Sequence, residues 1–199
     1  MTNETPQTTN NGPLEILVVE DKERHILSAE KLLVMHKVHI ARTFNDACQE
    51  LDNPNRVYDA ILSDMFFPYG KNCASDEGNQ PDAIGYAISL YAARKNVPII
   101  SIVTDSNHHS NPVSATFDCF ADYTIGSSEL VARPCLSRPI IKLNNSLFAM
   151  FDIRDCRPLD IREGNVVYEG WGYEKGVKNW IDILDSMLNP GKQIKPRPQ

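Results

Sequence analysis

Short apolar runs recur along the first half of this chain, and stretches with helical spacing of apolar positions separate them. The predicted strands are residues 14–19, 38–41, 58–63 and 97–103. The predicted helices are residues 21–36, 47–51, 83–94 and 113–120, the second after a helix-start signal at Thr43. Strands that alternate with helices at this spacing predict an α/β fold with a parallel, doubly wound sheet and right-handed crossovers.

Carboxylates stand at the ends of two of the predicted strands. Glu20 and Asp21 follow the first strand, and Asp64 follows the third, with Pro68 turning the chain soon after. We expect these two strands to be neighbours, which would bring the three carboxylates together at the sheet edge where open α/β sheets bind ligands. Three close carboxylates repel one another unless a cation lies between them, and oxygen ligands favour Mg²⁺ over Zn²⁺.

The second half of the chain has a weaker pattern. Residues 139–143 and 147–153 are apolar and predict a hairpin around Asn144, and residues 177–188 predict a final helix anchored in the core by Trp180. We interpret residues 13–188 as a single domain, with a core at 14–123 and an elaborated part at 124–188. Residues 1–12 are predicted to be a disordered leader, and residues 189–199 a disordered tail.

Composition narrows the class of protein. A net charge of -6 over 199 residues argues against a nucleic-acid binder. No apolar stretch approaches the roughly 20 residues that span a bilayer, so no membrane partner is expected. The five cysteines form no Cys-x-x-Cys motif, and their odd number favours reduced thiols in a cytoplasmic protein.

Three segments together resemble the receiver domain of bacterial response regulators. They are Ile16 to Asp21, Tyr58 to Pro68, and Val97 to Thr104, and Gly85 fits the family's glycine near the start of the third helix. The resemblance covers roughly residues 14–123. It implies a flavodoxin-like sheet with strand order 2-1-3-4-5.

The resemblance also implies a role in two-component signalling. A histidine kinase or phosphotransfer protein would donate a phosphoryl group to Asp64, and Mg²⁺ would be held by Asp21, Asp64 and the backbone carbonyl of Phe66. Glu20 would act on the metal mostly through water, and Thr104 would hydrogen-bond the phosphoryl group. Tyr123 would be the rotating aromatic residue on strand five. Such a protein is not classed as an enzyme beyond its own phosphorylation and dephosphorylation, and its output would be binding to a downstream protein.

The chain departs from the family at the lysine that closes strand five and pairs with the phosphoryl group. Gly126 and Ser127 stand in that place. The possible cationic substitutes are Arg133, Arg138, Arg157 and Lys142, and the loop residues His108 and His109 could instead contact an anion. The long part beyond residue 124 has no helix-turn-helix signature.

Two other functions stay open. In the first, a degenerate receiver keeps the fold and the acidic pocket but serves as a phosphate-independent protein-binding module. The second is a small Mg²⁺-dependent phosphatase or hydrolase, which ranks last because Asp64-Met65-Phe66 lacks the second aspartate of an Asp-x-Asp pair.

Overall fold

A computed structural model describes residues 12–70, 83–105, 140–153, 156–157, 159–162, 165–168 and 176–189. The strands are β1 (Glu15–Val19), β2 (Lys37–Ala41), β3 (Ala60–Asp64), β4 (Ile99–Thr104), β5 (Ile141–Leu143), β6 (Ser146–Asp152), β7 (Leu159–Arg162) and β8 (Asn165–Tyr168). The helices are α1 (Glu23–Leu32), α2 (Phe44–Asp52), α3 (Gly85–Arg94) and α4 (Trp180–Leu188). The predictions made for residues 113–120, Tyr123, His108, His109, Gly126, Arg133 and Arg138 lie outside the described residues.

Six strands form one mixed sheet in the order β2-β1-β3-β4-β6-β5. The neighbours from β2 to β6 are parallel, and β5 joins β6 in antiparallel register. The α/β class with a mostly parallel sheet is therefore confirmed. A separate two-stranded antiparallel pair is formed by β7 and β8.

The strand beside β4 differs from the prediction. The expected order 2-1-3-4-5 is not the one found, because β4 lies between β3 and β6 and the sheet has the order β2-β1-β3-β4-β6-β5. The physical reason is burial: Phe148 and Met150 pack on one face of the sheet, and Ala149 and Phe151 on the other. A strand that is apolar on both faces is stable only inside a sheet with both faces covered.

Helices cover both faces of this sheet. The strand β1 shows why, since Leu17 and Val19 belong to one buried cluster while Ile16 and Val18 belong to the other. The first cluster includes buried residues of α2 and α3, and the second includes buried residues of α1 and α4. The final helix is thus part of the core, and Trp180 is its fully buried anchor, as predicted.

Local signals account for several of the boundaries. The side chain of Thr43 accepts a hydrogen bond from the backbone N–H of Asp46, which confirms the predicted start of α2. The predicted hairpin is also confirmed, and Asn144 in its turn has φ 55°. Asparagine tolerates this left-handed conformation better than most residues do. Within the described parts of the chain, no helix is long and apolar enough to cross a membrane.

Candidate functional site

The ends of β1, β3 and β4 bring acidic and hydroxyl side chains to one edge of the sheet. Val19 is paired with Ser63, so the next residues, Glu20 and Asp64, emerge side by side. Thr104 ends β4 at the same edge and is fully buried. Carboxylate oxygens of Glu20, Asp21 and Asp64 lie within 4.8 Å of one another, which confirms the predicted acidic cluster.

Asp64 presents two different oxygens. Its side chain is fully buried, and its Oδ1 accepts a hydrogen bond of 2.7 Å from the backbone N–H of Met65. The same Oδ1 lies 2.8 Å from Nζ of Lys178. Its Oδ2 is buried and has no hydrogen-bond partner among the residues that the structure describes. Asp64 is therefore held by one oxygen and leaves the other available to a ligand.

Lys178 is the residue of the candidate site that the sequence reasoning missed. Its ammonium lies 2.6 Å from Oε2 of Glu20 as well as close to Asp64, and its side chain has 0% exposure. Burial opposes its charge, but the carboxylates of Asp64, Glu20 and Asp105 outweigh burial and raise its pKa. Lys178 is thus a buried cation whose charged form is favoured by the carboxylates around it.

Two of the cationic substitutes named from the sequence, Arg157 and Lys142, are described by the structure, and both lie away from the acidic cluster. Arg157 pairs with the buried carboxylate of Asp182, and Lys142 is exposed on the edge strand β5. Neither is the cation of the acidic cluster, because Lys178 lies there instead. The sequence around Lys178 gives no local signal for this, since a lysine just before a helix is ordinarily solvated.

The backbone of Lys178 is fixed by helix α1. Its N–H donates to Nδ1 of His25 over 3.2 Å, and its carbonyl accepts a hydrogen bond of 2.6 Å from Oγ of Ser28. The indole N–H of Trp180 donates to the carbonyl of His25 at 2.9 Å. The lysine therefore reaches the cluster from a segment that is attached to α1 at three points.

A second set of charges surrounds Asp105, directly after β4. Its carboxylate accepts hydrogen bonds from Lys22 at 2.7 and 2.8 Å, from Arg24 at 3.0 Å, and from His25 at 3.0 Å. Burial raises the pKa of Asp105, but the His25 hydrogen bond and the ammonium groups of Lys178 and Lys22 reverse this and lower it strongly. Asp105, directly after β4, is therefore tied by charge to the start of α1.

Asp21 completes the part of the cluster that suits a cation. Its Oδ1 is buried and, among the described residues, has no hydrogen-bond partner. Burial and the neighbouring Asp64 carboxylate raise the pKa of Asp21. Burial likewise raises the pKa of Asp64. The charge of Lys178 opposes this shift, and the charge of Glu20 adds to it. Both groups would lose this electrostatic cost by sharing a divalent cation.

The residues at this edge thus fit the expected Mg²⁺. Two unpartnered carboxylate oxygens, one each from Asp21 and Asp64, are hard ligands of the kind that Mg²⁺ prefers. Both carboxylate oxygens of Glu20 already have partners: Oε1 accepts a hydrogen bond from the backbone N–H of Lys22, and Oε2 accepts one from Nζ of Lys178. This agrees with an indirect role for Glu20. Phe66 lies two residues beyond Asp64 with its side chain in the core, and the role of its carbonyl stays a prediction.

Comparisons with known proteins add little to this geometry. No protein-family model matches the chain, and no curated protein matches it. Among solved structures, one that matches is a yeast Spc42 trimeric coiled-coil segment fused to another structure, with 20% sequence identity and a TM-score of 0.37. That match covers 52% of this chain and 59% of the other, so this chain spans little more than half of its length. A likeness at this level carries no argument about fold or function.

Proposed function

We propose that this protein is a receiver of the two-component type, in which Asp64 accepts a phosphoryl group with the help of Mg²⁺. The observation that carries the proposal is the asymmetry of the Asp64 carboxylate. Lys178 and the Met65 N–H hold Oδ1, while Oδ2 is without a hydrogen-bond partner within the described structure and lies in the acidic cluster. The family's strand-five lysine is missing from its expected place, and Lys178 supports the proposal because its ammonium contacts Asp64 from another segment.

The transfer step follows from these positions. One carboxylate oxygen of Asp64 forms a bond to phosphorus while the phosphorus–nitrogen bond of a phosphohistidine breaks, and the imidazole of the donor leaves with that electron pair. The other carboxylate oxygen of Asp64 would stay with the metal. A bound Mg²⁺ would reduce the repulsion between the carboxylate and the phosphoryl oxygens. Lys178 stabilises the charge of the phosphoryl oxygens, and Thr104 donates a hydrogen bond to one of them. Asp21 and Asp64 would hold the metal, with Glu20 and the Phe66 carbonyl in support.

The new phosphoryl group would change the surface that a downstream protein binds. Thr104 directly precedes Asp105 in the chain. The carboxylate of Asp105 accepts hydrogen bonds from Lys22, just before α1, and from Arg24 and His25 in its first turn. A movement of Thr104 toward the phosphoryl group would therefore pull on α1. The partners we propose are a histidine kinase or phosphotransfer protein upstream and a protein partner downstream.

A second candidate, the degenerate receiver, is favoured by one specific observation. Asp64 and Lys178 are both fully buried and already neutralise each other, so the pocket has an internal cation. Phosphoryl transfer requires the site to open, whereas a phosphate-independent binding module does not.

Binding of a phosphoryl analogue decides between these functions. Beryllium fluoride would be added to the whole protein with Mg²⁺, and the amide of Thr104 and the indole of Trp180 would be followed by NMR. Shifts in the wild type that are absent in Asp64→Asn support the phosphoacceptor. Shifts with Mg²⁺ alone, and none on adding beryllium fluoride, support the degenerate receiver and contradict the first proposal. No response to either would exclude both a working metal site and phosphorylation.

A further inference from the structure

His25 connects two segments that meet at the candidate site. Its side chain is fully buried on α1, with Nε2 at 3.0 Å from Oδ2 of Asp105 and Nδ1 at 3.2 Å from the backbone nitrogen of Lys178. A backbone N–H can only donate, so Nδ1 must be the acceptor and the ring proton must lie on Nε2. This proton is donated to Asp105. The two contacts together select one tautomer of the neutral imidazole.

The charges around His25 agree with a neutral ring. Burial is the largest influence and lowers its pKa to about 4, with Lys178 and Arg24 acting in the same direction and Asp105 opposing them. Asp105 also binds Lys22 and Arg24, which keeps its carboxylate ionised and in place. Asp105 therefore orients the ring without taking its proton.

We propose that His25 is a positioning residue for the phosphoryl site: it fixes the backbone of Lys178 so that the ammonium reaches Asp64, and Asp105 fixes its tautomer. This inference rests on the proposed phosphoacceptor function for its consequence, since a misplaced ammonium would contact the phosphoryl group less well. Nothing in the sequence pattern indicates such a role for a histidine in the first turn of α1.

The need for positioning comes from the lysine side chain itself. Its four-carbon stem has many rotamers, and ordering it costs conformational entropy. The ammonium can bridge Glu20 and Asp64 only if the Cα is held at the right distance from both. The hydrogen bond from Ser28 to the Lys178 carbonyl fixes one side of this Cα, and the His25 ring fixes the other.

Two substitutions separate the contacts of His25. In His25→Asn the amide oxygen lies near the place of Nδ1, so it can still accept from the Lys178 N–H while the contact with Asp105 is lost. In His25→Gln the amide nitrogen lies near the place of Nε2, so it can still donate to Asp105 while the acceptor for Lys178 is lost. Both variants remove a ring from the core, and each therefore controls for the packing defect of the other.

The first readout is the dissociation constant for beryllium fluoride in the presence of Mg²⁺, followed on the Trp180 indole signal. We expect His25→Gln to weaken binding about tenfold, which corresponds to about 1.4 kcal/mol, and His25→Asn to weaken it by less than about threefold, or about 0.6 kcal/mol. In a Lys178→Met background, His25→Gln should have no further effect, because the group that it positions is gone. Equal losses in the two variants, or a full loss that persists in the Lys178→Met background, would show that His25 only packs the core.

The second readout keeps this inference separate from the phosphoacceptor proposal. The ¹⁵N signal of the Lys178 ammonium in the metal-free protein reports the ion pair with Glu20 and Asp64 without any phosphoryl analogue. We expect His25→Gln to shift this signal and His25→Asn to leave it near its wild-type position. If the wild type binds no beryllium fluoride but this pattern appears, the phosphoacceptor function fails and the positioning role stands. If wild-type binding is seen and the ammonium signal is the same in all three proteins, the positioning role fails alone.

Discussion

Nζ of Lys178 lies 2.8 Å from Oδ1 of Asp64, so a lysine just before the last helix pairs with an aspartate at the end of the third strand. Both side chains are fully buried, and Glu20, which also contacts the ammonium of Lys178, is the third charged residue of the group. The ion pair couples the folding of the final helix to the formation of the acidic cluster. Changes at this pair should therefore alter stability and ligand binding together.

Removing the internal cation should destabilise the protein and make it depend on metal. In Lys178→Met the carboxylates of Glu20 and Asp64 lose their buried partner, and breaking such a pair typically costs about 3 to 5 kcal/mol. We expect added Mg²⁺ to restore part of this loss, and the defect to be smaller at pH 5 than at pH 7 because burial raises the pKa of Asp64 and so favours its protonated form. Urea unfolding with and without Mg²⁺ measures both effects. Lys142→Met on the exposed edge strand is the matched control, and an equal loss in both variants would contradict the assigned role.

Gly85 should be necessary for the position of Asp64. A Cβ at Gly85 would lie 2.6 Å from the carbonyl oxygen of Asp64 and 2.9 Å from Cα of Met65, and both are backbone atoms that cannot turn aside. We expect Gly85→Ala to cost about 1 to 3 kcal/mol of stability by overpacking and to weaken Mg²⁺ binding, as measured by calorimetry. At Gly70 a Cβ would meet only the side-chain amide of Asn45, at 2.8 Å, and that group can move. Gly70→Ala should therefore change metal binding little, and a similar loss at both glycines would refute the argument.

The buried neutral His25 should make the fold sensitive to mild acid. Its pKa falls from 6.5 to about 4 on folding because burial disfavours the charged ring. The unfolded chain thus binds the proton more readily between these values, so the stability due to neutral His25 is complete above pH 6.5 and is lost as the pH falls toward 4. The loss is at most about 3 kcal/mol. Denaturation midpoints from pH 7 to 4.5 should decline more steeply in the wild type than in His25→Gln, whereas parallel declines would show that the ring is not buried in its neutral form.

The contact between Arg157 and Asp182 should hold the segment that carries Lys178. The carboxylate of Asp182 is fully buried and accepts from Nε and Nη2 of Arg157 and, at 2.8 Å, from the side-chain amide of Asn179. We expect Asp182→Ala to cost about 3 kcal/mol, because a guanidinium and an amide lose their partner. Asp160→Ala removes the more exposed pair with Arg162 and should cost less than about 1 kcal/mol. Thermal unfolding compares the two, and equal costs would mean that burial of Asp182 adds nothing.

The sequence by itself determined the class of fold and the position of the acidic cluster. The apolar runs ending at Val19 and at Ser63 are long enough to be strands buried on both faces, and the carboxylates follow them directly. Because parallel strands place their carboxyl ends at one edge, the meeting of Glu20, Asp21 and Asp64 followed from local patterns alone.

Tertiary structure alone decided which strand lies beside β4 and which cation enters the cluster. The periodicity of apolar residues cannot decide which apolar segment pairs with β4. The pairing depends on how well the rest of the fold covers both faces of β6. Nor can periodicity find Lys178, because that residue reaches Glu20 and Asp64 only after α4 has packed against α1 and His25 and Ser28 have fixed its backbone. A buried charge is stable only where its partners are assembled from distant parts of the chain, and the spacing of residues in a sequence does not record that assembly.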